Sequence, residues 1–213
     1  MPRAARIAVV DYGIGNLRSA SKALVHVGAD AVLTSRADEI VDADAVVLPG
    51  VGAFGACMAA LRERGLESAI RQAVASGRPF LGICVGMQML FDSSEESPGV
   101  EGLGIIPGEV KFIPIGVKRP QMQWNRLHVR GADPLYAGVG DDSWMYFVHS
   151  LHGVPRDPEV VVATCEYGTT LNAAFRLGNV AAMQFHPEKS SVAGLAVLAN
   201  FARVAAQHRE VNA

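Results

Sequence analysis

The chain has 213 residues, half of them hydrophobic and 19% charged, with a formal net charge of −2 at pH 7. That length suits one domain with a sizeable core, and that charge gives no electrostatic case for nucleic acid or an anionic membrane surface. The three cysteines, Cys57, Cys84 and Cys165, are an odd set without metal-ligand spacing, which argues against a disulfide framework and a metal site and fits a reducing compartment. The apolar run before Asp11 is too short for a signal peptide, and no apolar run reaches membrane-spanning length, so the expected location is the cytoplasm.

In chain order, "RIAVVDYG" reads as a buried strand and "NLRSASKALVHVG" as a helix closed by Gly28. "AVLTS" and "ADAVVLPG" are the second and third strands. "AFGACMAALRERG" and "LESAIRQAVASG" are helices, each stopped by glycine. "RPFLGIC" is a fourth strand, followed by a helix in "GMQMLFDSS". Strands that are apolar on both faces and separated by helices imply an open, mostly parallel sheet with helices on both faces. From about Gly99 the texture changes. "GEVKFIPIG", "SWMYFVHS", "EVVVATCEYG", "LNAAFRLG" and "NVAAMQFHP" are strand-like pieces divided by turn residues, which predicts an antiparallel extension of the sheet. "SVAGLAVLANFARVAAQH" is a closing helix. No repeat or linker interrupts the pattern, so residues 1–213 are read as a single domain of the α/β class.

Cys84 sits at the carboxyl end of the fourth strand, where open parallel sheets gather ligands and catalytic groups. Gly82-Ile83-Cys84-Val85-Gly86 matches the nucleophile elbow G-x-[SC]-x-G. A sharp strand-to-helix turn crowds the positions two before and two after the nucleophile, and glycine avoids a Cβ clash there. The turn also sets the sulfur at a helix N-terminus, whose partial positive charge favours a thiolate, and points the Val85 N–H at an oxyanion. Read alone, Cys84 is equally a buried strand-end cysteine with incidental glycines.

A thiol nucleophile needs a base. His186, in "NVAAMQFHPEKS", follows a strand, and Pro187 sets an extended exit. Glu188 lies two residues on, close enough to orient the imidazole, giving nucleophile, base and orienter. Gln88 is a polar side chain on an apolar helix near the sulfur. "LPGVGAF" closes the third strand with a glycine loop whose backbone N–H groups, at Gly50, Val51 or Gly52, can approach a ligand.

Elbow, glycine loop and His-Pro-Glu turn together resemble the class I, triad-type glutamine amidotransferases. "DYGIGNLRS", "LPGVGAFG", "GICVGMQMLFDSSEE", "YFVHS" and "QFHPEKS" are similar, in this order, to the glutaminase subunits of imidazole glycerol phosphate synthase. The resemblance spans about Ile7 to Phe201 and implies the class I amidotransferase fold. It implies that Cys84 attacks the amide carbon of glutamine, that His186 is the base and that Glu188 orients it. Val85, with Val51 or Gly52, would supply the oxyanion hole through backbone N–H groups. Gly50, Gln88, Glu96, His149 and Ser150 would hold glutamine. The implied partner is a (β/α)₈-barrel cyclase that receives the ammonia in histidine biosynthesis, with Asn16, Trp124 and Lys189 toward it; no cofactor is implied. The family tract P-H-M-G-W-N reads "PQMQWN" here, so that Gln121 and Gln123 replace a histidine and a glycine, and Leu151 and His152 stand where aromatic residues are usual. Other readings left open by the residues are a glutaminase feeding a different synthase, a silent binding subunit, a nucleotide-binding module at Gly13-Ile14-Gly15 and a cysteine peptidase.

Overall fold

The computed structural model describes residues 4–140 and 143–212; the rest of the span 1–213 expected as one domain lies outside the described residues. The first part runs β1 (Arg6–Val10), α1 (Leu17–His26), β2 (Asp30–Thr34), α2 (Ala37–Asp42), β3 (Ala45–Gly50), α3 (Phe54–Glu63), α4 (Glu67–Ala75), β4 (Phe80–Cys84) and the single-turn α5 (Val85–Gln88). The second part runs β5 (Ser93–Ser94), β6 (Gly108–Phe112), β7 (Gln121–Arg126), β8 (His128–Val129), β9 (Trp144–His149), β10 (Leu151–Pro155), β11 (Val161–Glu166), β12 (Thr170–Leu177), β13 (Val180–Met183) and α6 (Ser191–Asn212).

Eight strands form the main sheet in the order β2-β1-β3-β4-β13-β12-β11-β8. The first five are parallel, and β12, β11 and β8 extend the sheet antiparallel. Every residue of β3, β4 and β13 is buried. Strands covered on both faces must be apolar throughout, which is why their sequences carry no charged or amide side chain. Helices flank the sheet, with α1 packed on α6 and α2 on α4. The placement of β13 between β4 and β12 matters most for function. It brings the chain just beyond Met183 alongside the carboxyl end of β4. A three-stranded sheet, β10-β6-β5, and a ribbon, β7-β9, stand apart from the main sheet.

Two expectations change. The helix expected through "GMQMLFDSS" is one turn long, and the chain after it is taken up elsewhere. The backbone N–H groups of Leu103, Ile105 and Gly104 bond to the carbonyls of Met89, Leu90 and Phe91 at 2.7, 2.8 and 3.1 Å. Those carbonyls are spent on residues distant in sequence, and a helix cannot continue through them. The tract "QMQWNR" is strand β7, paired with β9, although its polar composition gives little strand signal.

Candidate active site

Cys84 ends β4 with φ 55° and ψ −116°, a left-handed conformation rare for a side chain with a Cβ. Holding it there costs about 1–3 kcal/mol, and the surroundings must impose it. They do so through glycine. A Cβ on Gly86 would lie 1.9 Å from the Leu48 carbonyl oxygen, and one on Gly82 would lie 2.9 Å from Cα of Met87. Backbone therefore passes against backbone on both sides of the cysteine. The next residue, Val85, opens α5, so its N–H has no partner within the helix.

His186 reaches this turn from β13. Its own N–H bonds to the Tyr146 carbonyl at 3.0 Å, and Ser190 Oγ donates to the His186 carbonyl at 2.6 Å, closing a 3₁₀ turn at Pro187–Lys189. That turn folds Glu188 back so that its Oε1 lies 2.8 Å from His186 Nδ1. Both side chains are almost fully buried, at 3% and 2% exposure. Burial by itself would lower the imidazole pKa. Hydrogen bonds to Cys84 and Glu188, together with their charges, outweigh it and raise the imidazole to about 10. These surroundings favour the protonated form of the buried His186 ring. The three groups named from the sequence converge at one place: Glu188 bonds to His186, and His186 and Cys84 line the same pocket.

A pocket opens over them, lined by Val51 and Gly52, by Cys84, Val85 and Gln88, and by Glu96, Pro120, His149, Ser150 and His186 among others. In the glycine loop, Gly52 takes φ +86°, and the Cys57 thiol donates to the Val51 carbonyl at 3.3 Å. The N–H of Gly52 lies antiparallel to that carbonyl across the trans peptide and points away from Cys57. Gly50 pairs with Cys84 across β3 and β4, and a Cβ there would lie 2.5 Å from the Gly86 nitrogen. Glu96 lines the pocket with one oxygen bonded to the Phe54 N–H at 2.7 Å, at the start of α3. Its neighbour Glu95 turns away to accept from the Phe112 N–H at 2.8 Å.

Comparison with known proteins joins this geometry to a family. The family model "Glutamine amidotransferase class-I" matches residues 8–205. The chain belongs to that family. It is 50% identical over 210 residues to "Imidazole glycerol phosphate synthase subunit HisH" of Synechococcus sp. (strain JA-3-3Ab), covering 96% of each chain. It is also 50% identical to the protein of that name from Methanothermobacter thermautotrophicus, covering 93% of this chain and 98% of the relative. Among solved structures, one described as glutamine amidotransferase aligns with TM-score 0.71 and 24% identity over 93% of this chain and 98% of the other. PurLQS from Thermotoga maritima aligns with TM-score 0.72 and 23% identity over 92% and 96%. The last two likenesses concern the fold.

Within this amidotransferase fold, the site includes residues that the sequence reading did not single out. Gln184 is fully buried; it accepts from Gln88 Nε2 at 3.0 Å and donates from its Nε2 to Cys84 Sγ at 3.7 Å. A lone amide inside the apolar run "AAMQFHP" was the available clue. Tyr12 donates its hydroxyl to the Pro49 carbonyl at 2.8 Å and so holds the entry to the glycine loop; burial, then Cys57 and Cys84, raise its pKa. Asn16, Trp124 and Lys189 are not pocket residues. Asn16 Nδ2 donates to Glu188 Oε1 at 3.3 Å. Trp124 packs edge-on against Tyr146 at 6.0 Å, and Lys189 Nζ sits 5.8 Å from the same Tyr146 ring. The two departures in "PQMQWN" part company: Gln121 is fully buried, whereas Gln123 is exposed. No helix among the described residues is long and apolar enough to cross a membrane.

Proposed function

We propose that this chain is the glutaminase subunit of an imidazole glycerol phosphate synthase, a single-domain enzyme of the reducing cytoplasm. It hydrolyses glutamine and passes the ammonia to a cyclase partner. The observation that carries the reading is the buried Cys84–His186–Glu188 set on a strained elbow, beneath a pocket lined by polar groups. Insertion of β13 between β4 and β12 supports one domain, because it puts strands from both parts of the chain in one sheet.

In the proposed reaction the Cys84 thiolate attacks the side-chain amide carbon of glutamine, giving a tetrahedral oxyanion. N–H groups of Val85 and of Val51 or Gly52 stabilise that charge; one such donor typically contributes about 10²–10³ in rate. The imidazolium of His186 protonates the departing nitrogen, the C–N bond breaks, and ammonia leaves a glutamyl thioester on Cys84. Water then attacks the thioester while His186 takes its proton. Glutamate departs and the thiolate is restored. Glu188 keeps the ring oriented throughout, which its 2.8 Å bond to Nδ1 supports. Gly50, Gln88, Glu96, His149 and Ser150 form the surroundings of the glutamine. Both ring nitrogens of His149 are engaged within the protein, which favours a backbone contribution from that residue.

The partner is a (β/α)₈-barrel cyclase, which uses the ammonia to make imidazole glycerol phosphate and an aminoimidazole carboxamide ribotide. Its docking face is the side of the β7–β9 ribbon carrying Met122, Trp124 and Trp144, exposed at 65%, 44% and 49%. Arg126 lies over the Trp144 ring and Lys189 over Tyr146, so cations rim the apolar centre, as at protein–protein interfaces. Asn16, bonded to Glu188, is taken as a further contact with the same partner.

Ammonia and glutamate release from glutamine, assayed with and without the cyclase barrel and its ligand, tests the reading. Release that is low alone and rises with the barrel is expected. Absence of stimulation points to a different synthase, and full release by Cys84→Ser overturns the glutaminase assignment.

A further inference from the structure

His149 and Gln121 face each other across the β7–β9 ribbon. His149 Nδ1 lies 2.7 Å from the Leu151 carbonyl oxygen, and Nε2 lies 2.9 Å from Oε1 of Gln121. A backbone carbonyl only accepts, so the ring hydrogen belongs on Nδ1. In a neutral imidazole Nε2 is then an acceptor, and it meets a second acceptor at 2.9 Å. On the same amide, the donor Nε2 of Gln121 is buried with no hydrogen-bond partner.

One rotation removes both faults. Turning the amide by half a turn about its last side-chain bond exchanges oxygen and nitrogen, which have the same shape. Gln121 Nε2 then donates to His149 Nε2, and Oε1 comes to the side of the Cys165 thiol, whose proton burial retains. An imidazolium donating from both nitrogens would also satisfy the ring. Burial disfavours it and lowers His149 to about 4, aided by the nearby His152 and His186 rings; it would also leave Gln121 Nε2 unpartnered.

We propose that Gln121 is a positioning residue of the glutamine site: its turned amide fixes His149 in the Nδ1–H tautomer that ties the β9–β10 turn and so sets one wall of the pocket. That wall is residues 148–151, preceded on the β7 side by Pro120, which lines the same pocket. The Leu151 carbonyl is held by the ring and the Ser150 carbonyl by the Ile113 N–H at 2.9 Å, so the backbone between them has little freedom. Gln121 itself is fully buried and does not line the pocket. It acts through His149.

The inference rests on the glutaminase reading, and its test separates the two. Gln121→Glu keeps the shape of the side chain but offers only acceptors at neutral pH. Gln121→Met keeps much of the volume and offers no strong hydrogen bond. Nitrogen-15 NMR of labelled histidine reports the state of the ring without reference to activity. In the unsubstituted protein His149 is expected with hydrogen on Nδ1 alone, and in Gln121→Glu with hydrogen on Nε2 as well. With the cyclase present, both variants are expected to raise the KM for glutamine about tenfold, the scale of one hydrogen bond, while kcat stays within about threefold. A side chain that merely fills space would change stability and leave tautomer and KM alone. Hydrogen on Nε2 in the unsubstituted protein, or an unchanged KM in both variants, overturns the proposal. The expected tautomers in a protein that hydrolyses no glutamine overturn the glutaminase reading and the positioning role together, and leave the turned amide standing.

Discussion

Cys84 stands on a turn marked by two glycines within five residues and pressed against the neighbouring strand β3, whereas the pocket wall at residues 148–151 is held by the pairing of several strands outside the main sheet. At the elbow, Gly82 and Gly86 permit an approach of backbone to backbone that any Cβ would block. The strained φ of Cys84 is the consequence. At the wall, β7, β9 and β10 supply the backbone, and Gln121 and His149 meet only because β7 and β9 pair in that register. A shift of one residue would turn Gln121 to the solvent face. The elbow therefore needs two glycines close to Cys84 and the β3 backbone beside them, and the wall depends on several pairings at once. Between them, His186 belongs to both: its partner thiol is on the elbow, and its backbone N–H is bonded to Tyr146 of β9.

Substitutions can break this contrast in order of expected effect. Cys84→Ser should reduce ammonia release by about 10⁴-fold or more, with the unfolding midpoint little changed, because the elbow's geometry survives while its nucleophile does not. Glu188→Gln should reduce kcat by about 10²–10⁴-fold through misorientation of His186. It should also change the pH dependence. His186 is raised in the folded protein to about 10, above the ~6.5 of an unfolded histidine. Its contribution to stability is therefore full below about pH 6.5 and is lost as pH rises through about 10. With the Glu188 charge removed, the alkaline loss should begin at lower pH; an unchanged profile in a pH series of thermal melts would contradict the pairing.

Gly86→Ala probes the contact of the elbow with β3 directly. With the added Cβ placed 1.9 Å from the Leu48 oxygen, backbone must move, which should cost about 3 kcal/mol in denaturant unfolding. It should also slow alkylation of Cys84. Trp124→Ala, on the outward face of β7, should show the smallest effect on the free chain. Losing one edge-on ring contact there should cost about 1 kcal/mol or less. Cyclase affinity, measured by titration calorimetry, should fall at least about tenfold if the ribbon is the docking face.

The same contrast explains what the sequence disclosed. The parallel core was legible because strands buried on both faces leave unbroken apolar runs, and the elbow because the glycines it requires lie within two residues of Cys84. His186 and Glu188 were legible as a pair separated by one residue, although their meeting with Cys84 depends on β13 lying beside β4. Gln184 was missed because one amide in an apolar run does not reveal that it will lie between Gln88 and Cys84. Strand β7 was missed because its side chains are polar on a largely exposed ribbon, so that pairing with β9 rather than burial makes it a strand. The helix after Cys84 was overextended because the residues that capture its carbonyls, 102–105, lie beyond the reach of a local pattern.

The most direct test of the central claim, that Cys84 alone carries the glutamyl group, is covalent trapping. The chain, with its cyclase present, is treated with a chloroketone analogue of glutamine, and the adduct is located by peptide mass spectrometry. The account predicts one adduct, on Cys84, formed more slowly when glutamine is in excess and accompanied by proportional loss of ammonia release. An adduct on Cys57 or Cys165, or ammonia release that persists after Cys84 is fully labelled, would contradict it.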